Sequence, residues 1–80
     1  MLEIKILGMG CKNCVRLQKE VEAIMEENQL KANIQKIQDV PGIMKYGIMS
    51  TPGLVINEKV KSFGRIPKRE EILQYIKEEL

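Results

Sequence analysis

Residues Leu2 to Leu7 read LEIKIL, apolar and charged in alternation until the pattern is lost at Leu7. Period-two alternation is the signature of a strand, and its loss at the end suits a strand inside a sheet. Gly8 and Gly10 flank Met9 and permit a sharp turn. From Cys11 or Lys12 onward the period changes. Cys14, Leu17, Val21, Ile24 and Met25 fall on one stripe at three- and four-residue spacing, with Lys12, Arg16, Lys19, Glu22 and Glu26 mostly outside it. A strand, a tight turn and an amphipathic helix in immediate succession constrain the chain more than anything else in it.

The rest of the chain extends this start. Asn28-Gln29 marks a helix stop, and Lys31 to Gln38 (KANIQKIQ) reads as a second short strand carrying Ile34 and Ile37. Asp39 is a candidate N-cap with Pro41 just inside a short helix that should end by Gly47. Thr51-Pro52-Gly53 breaks the chain before a strand over Leu54 to Ile56. Asn57-Glu58 suits a hairpin turn, and Lys59 to Phe63 (KVKSF) is the return strand, its lysines fitting an edge that must resist pairing with other chains. Pro67 fits the first turn of a last helix whose stripe is Ile72, Leu73, Ile76 and Leu80. Glu70 and Glu71 favour the start of that helix, whereas Glu78 and Glu79 oppose its dipole. The order βαβαββα predicts an α/β fold: a four-stranded mixed sheet with three helices covering both faces.

Eighty residues make a single domain, 1–80, and the core must be aliphatic, because there is no Trp, one Phe and two Tyr. A net charge of +2 and the lack of aromatic platforms argue against nucleic acid. No apolar run approaches the ~18 residues of a membrane span, and no signal segment precedes the first strand, so a cytoplasmic monomer with no membrane partner is expected. In that compartment a close pair of cysteines is more often catalytic or metal-binding than a staple. With no histidine, imidazole-dependent zinc sites and Cys-His nucleophile pairs are excluded. Met25, Met44 and Met49 read as core filling, and the basic cluster Lys59, Lys61, Arg65, Lys68 and Arg69 as a solvated edge.

The chemistry must lie in GMGCKNC, Gly8 to Cys14, which holds both cysteines. Three readings are open: a redox dithiol, a soft-metal clip, or a turn that contains inert thiols. In the first, Cys11 stands where a helix N-terminus stabilises a thiolate and is the expected attacking thiol, while Cys14, about one turn in, is the resolving thiol. In the second, the same two thiolates hold an ion such as Cu(I).

Two family resemblances bear on the choice. The G-M-x-C-x-x-C letters are similar to the opening of heavy-metal-associated domains, but only over about the first thirty residues. That family's fold is βαββαβ and ends on a strand. Ser50-Thr51-Pro52-Gly53 followed by LVIN resembles the cis-proline loop of the thioredoxin-like superfamily, and with C-x-x-C and this element order the resemblance spans essentially the whole chain. It implies a thiol–disulfide oxidoreductase with Cys11 as nucleophile, Cys14 as resolving thiol, and Thr51 and Pro52 as the substrate-binding loop. It also implies no cofactor beyond the redox-active disulfide, a disulfide-containing protein or small molecule as substrate, and a thiol–disulfide reductase as partner. The soft-metal carrier using Cys11 and Cys14 is the alternative. Gly10 stands where thioredoxins carry an aromatic residue, and Lys12-Asn13 replaces Gly-Pro. A single glycine follows the hairpin where glutaredoxins keep a pair. Lys12 and Lys5 are the candidate modulators of the Cys11 pKa. Lys5 falls near the place of a buried acid in many thioredoxins, though a solvated lysine on a strand edge is the favoured expectation for it.

Overall fold

The computed structural model describes residues 2–8 and 12–79. Its elements run β1 (Leu2–Leu7), α1 (Lys12–Glu27), β2 (Ala32–Ile37), α2 (Val40–Met44), β3 (Gly53–Ile56), β4 (Lys59–Phe63) and α3 (Arg69–Glu78). The strands form one sheet in the order β2-β1-β3-β4. β1 pairs parallel with β2, Leu2 opposite Ala32 through Leu7 opposite Ile37. β3 pairs antiparallel with β1 on its other side and with β4 beyond. LEIKIL therefore lies in the interior of the sheet and KVKSF at its edge, as their patterns predict.

Each face of the sheet has its own core. On one face Leu2, Ile4 and Ile6 of β1 pack with Leu17, Val21, Ile24 and Met25 of α1 and with Ile72 and Ile76 of α3. These are the residues of the predicted stripes; Leu80 lies outside the described residues. Fully burying an aliphatic side chain of this kind is worth about 1.5–3 kcal/mol. On the other face Leu7 and Val55 pack with Ile43 of α2 and with Ile48. A sheet with parallel strands must be covered on both sides, and α2, though only five residues long, provides the second cover.

Local chemistry sets the ends of the elements. The Asp39 carboxylate accepts from Gly42 N–H at 2.8 Å, capping α2, with Pro41 in its first turn. Asn57 and Glu58 both adopt positive φ in the β3–β4 turn. Pro67 stands before α3 rather than within it, because Lys68 is the N-cap residue.

The basic cluster is exposed at Lys59, Arg65, Lys68 and Arg69, as expected of an edge, with Lys61 partly buried, and most of its cations are ion-paired. Lys61 pairs with Glu79 at 2.9 Å and Glu78 at 3.2 Å, and Lys59 with Glu79 at 3.4 Å. Arg65 pairs with Glu71, and Arg69 with Glu20 and Glu27. Glu78 and Glu79, unfavourable for the dipole of α3, are accounted for by the lysines of β4 across from them.

Glu71 also accepts from the Lys68 backbone N–H at 3.1 Å, bridging the start of α3 to Arg65. The Arg65 guanidinium, and then that N–H, hold its carboxyl down at about 2. A carboxyl lowered in the folded state stabilises the fold above its ordinary pKa near 4.5 and loses that contribution as pH falls through about 2. Glu71→Gln is therefore expected to lower the melting temperature at neutral pH, the gap closing as pH falls across that window. Melts at both ends check this, and a gap that does not change with pH would contradict it.

Candidate functional site

Cys14 lies in the first turn of α1, just after the turn that leaves β1. It is 5% exposed and disulfide-bonded. Cys11, Met9 and Gly10 lie outside the described residues, so the attacking thiol expected at Cys11 is known here by its sequence position, one residue before α1 begins.

The tightest contact at Cys14 is with Gly8. A Cβ on Gly8 would stand 2.1 Å from Cys14 Sγ, 3.1 Å from Cys14 Cβ and 3.9 Å from Thr51 Cβ. Gly8 is thus more than a hinge. Its bare backbone lets the sulfur of α1 lie against the end of β1, and Gly8 N–H is held by Ile37 O at 2.9 Å. The same small space brings in Thr51, forty-odd residues away in sequence.

The loop that carries Thr51 is pinned from behind. Gly64, at φ +79°, donates its N–H to Pro52 O at 2.9 Å. The Thr51–Pro52 peptide is cis. Pro52 is fully buried and Thr51 is exposed. The fold thus brings Cys14, Thr51 and Pro52 to one end of the sheet.

Lys5 goes elsewhere. It alternates with Ile4 and Ile6, so it projects to the face of β1 opposite α1, into the company of Leu7, Val55 and Tyr46. Its side chain is 16% exposed, donates to Tyr46 Oη at 2.9 Å and pairs with Glu58. Tyr46 Oη donates in turn to Glu58 at 2.9 Å. Glu58, and then Tyr46, hold the Lys5 ammonium well above its ordinary range. Lys5 is therefore not a solvated lysine on a strand edge: its strand is interior, and it ties β1 to the turn after α2 and to the β3–β4 turn. Tyr46 carries no signal in the sequence for this role. Lys12 is exposed at the start of α1, on the outer side of the helix with Val15, Arg16 and Lys19.

Two hollows flank Cys14 and Thr51. One, of only about 20 Å³, runs between α1 and the β1–β2 edge and is lined by Ile6, Gly8, Cys14, Val15, Gln18, Lys36 and Gln38. The other, of about 410 Å³, is an open apolar groove along α2, lined by Val40, Met44, Ile48, Met49 and Thr51 among others. Met44 and Met49 are 66% and 97% exposed, so they do not fill the core as their hydropathy suggests; Met25 does. α2 is too short to turn Met44 inward along with Ile43, and Met49 sits on the exposed loop that leads to Thr51.

No described helix is long and apolar enough to cross a membrane, and no group of three or more Cys, Asp or Glu that could hold a metal occurs among the described residues. Cys14, in its disulfide, has no thiolate to offer a soft ion in this state.

Known proteins share this fold. Deadhead, the germline-specific thioredoxin of Drosophila melanogaster, superposes with a TM-score of 0.66 at 16% identity, over 99% of this chain and 81% of that one. The oxidised thioredoxin of Plasmodium falciparum gives 0.62 at 18%, over 98% and 80%. At such identities the likeness is one of fold. In sequence, a thioredoxin of Methanothermobacter thermautotrophicus is 35% identical over 72 residues, covering 90% of this chain and 94% of that protein. A thioredoxin of Methanocaldococcus jannaschii is 34% identical over 77 residues, covering 96% and 88%. The family model described as the thioredoxin domain matches residues 2–77, and the chain belongs to that family.

Proposed function

We propose that this chain, a thiol–disulfide oxidoreductase by family and fold, works through Cys11 and Cys14 on disulfides in other proteins. The observation that carries the reading is Cys14: a disulfide-bonded, nearly buried sulfur in the first turn of α1, packed on Gly8 and beside the exposed Thr51.

The chemistry needs no further cofactor. The Cys11 thiolate attacks one sulfur of a substrate disulfide. That S–S bond breaks, the other substrate sulfur leaves as a thiolate, and a mixed disulfide joins Cys11 to the substrate. The Cys14 thiolate then attacks Cys11 sulfur and expels the second substrate thiolate. Two electrons pass from the dithiol to the substrate, and the chain keeps a disulfide. A sixteen-residue helix beginning at Lys12, with no acid in its first turn, favours a thiolate at its start. The exposed edge of Thr51 and the apolar groove beside it are where the substrate backbone would lie. A dedicated thiol–disulfide reductase returns the electrons, and a reducing cytoplasm is the proposed setting.

The test is direct. The reduced protein, mixed with insulin as a model disulfide, is expected to release insulin thiols well above the uncatalysed background and to end oxidised. Insulin thiols that rise no faster than background, with the protein still reduced, would sink the proposal.

A further inference from the structure

The outer side of α1 breaks two local rules at once. Lys12, Arg16 and Lys19 are exposed and follow one another at spacings of four and three, so they are neighbours along the helix surface. Like charges so placed weaken a helix, and Lys12 in the first turn also opposes the dipole. The fold offers no compensation. Glu20, four residues after Arg16, is held by Arg69 at 2.7 Å, and Glu22, three after Lys19, accepts from Gln18 at 2.8 Å. Among the described residues none of these three cations has a carboxylate partner, whereas Lys5, Lys59, Lys61, Arg65 and Arg69 all do. We infer that this strip docks an acidic segment of the substrate protein, lying a few residues along the chain from the disulfide that is reduced. The inference rests on the exchange chemistry proposed above and adds which disulfides are preferred.

Position selects the occupant. The strip starts one residue after Cys11 and runs away from it along α1. From Lys12 to Lys19 the helix rises by about 10 Å, the length of about three residues of extended chain. A substrate joined to Cys11 through its own sulfur, and leaving over α1, meets these cations with the residues next to its cysteine. The other surfaces at the site do not compete for that segment. The groove beside Thr51 is lined by apolar side chains, Ser50 and Thr51, with no charged group among its described lining. The hollow toward β2 has room for little more than a water. Val15, 41% exposed among the cations, adds an apolar spot to the strip. Ion pairs at such an exposed surface act mainly on the rate of encounter, and salt weakens them.

Two disulfide peptides test this. They share one short loop closed by a disulfide and differ only in the residues flanking it, all glutamate in one and all lysine in the other. Each rate of reduction by the full chain is divided by that of the same peptide with dithiothreitol, which removes the effect of charge on the disulfide itself. At ~0.01 M salt the glutamate peptide is expected to be reduced about tenfold faster than the lysine peptide, and the ratio to fall toward one at ~0.5 M. Arg16→Glu with Lys19→Glu should abolish or invert the preference. Lys31→Glu with Lys77→Glu makes the same change of net charge at exposed positions near the other end of the sheet, and should retain it. Because each ratio is taken within one variant, a change in the reactivity of the dithiol cancels. A ratio near one at low salt would overturn the docking assignment. So would equal loss in the two double variants, which would mark an effect of net charge alone. Failure of the exchange reading looks different: neither peptide is reduced faster than without the protein at any salt, and the docking assignment falls with it.

Discussion

Replacing Cys14 with serine is expected to stop turnover, by at least about a hundredfold against insulin, and to leave the substrate tied to the chain through Cys11. The hydroxyl of serine is close to the size of the thiol, and the position is packed against Gly8 and the end of β1, so the fold should survive. The attacking thiol is untouched, and the first half of the exchange proceeds. The second half needs a thiolate one turn along the helix, and a hydroxyl with its far higher pKa cannot supply it. Non-reducing electrophoresis of Cys14→Ser after exposure to insulin should reveal a species of summed mass that dithiothreitol dissolves. Cys11→Ser should reveal none. Equal trapping by both single variants would reverse the assigned order of attack or remove it. A trap with a large natural protein, recovered from extract, would identify the substrate by the same bond.

Gly8→Ala is the second large effect, and it acts on structure. The added methyl would lie 2.1 Å from Cys14 Sγ, far inside the contact distance of about 3.5–4 Å. Neither partner can yield easily. Gly8 is held to β2 through Ile37 O, and Cys14 is held in α1 and by its disulfide. Overpacking of this kind costs about 1–3 kcal/mol, and in a domain of this size each kcal/mol lowers the melting temperature by about 4–8 °C. The oxidised form should suffer more than the dithiol form, in which the Cys14 side chain can swing away. Thermal melts of both redox states check this. Wild-type melting in both would mean that the close approach of Gly8 and sulfur is not what requires glycine there.

These two residues also separate what can be read along the chain from what cannot. The C-x-x-C pair, the strand before it and the stripe after it are local patterns, and local patterns survive in one dimension. The contact of Gly8 with Cys14 joins residues six apart, and the glycine there is open to reading as a turn residue. Only the structure shows that the sulfur occupies the space of the missing side chain. The methionines mark a different failure. Met44 and Met49 carry core-like hydropathy, but a five-residue helix presents only one side to the sheet, which Ile43 takes from Met44, and Met49 lies on the exposed loop beyond it.

Lys5 makes the point most sharply. It is a lysine on a strand, two residues from the strand end, and one-dimensional reading treats it as solvated. Pairing register decides otherwise: Lys5 opposite Val55 turns toward Tyr46 and Glu58. By itself the chain's alternation determined the strands, helices, their order and the position of the dithiol, because those depend on periods of two and 3.6 within a few residues of each other. Which face each charge occupies, and that Thr51 and Pro52 come to the same end of the sheet as Cys14, was decided only when the strands paired as β2-β1-β3-β4, because register across the sheet is a long-range property that no local period encodes.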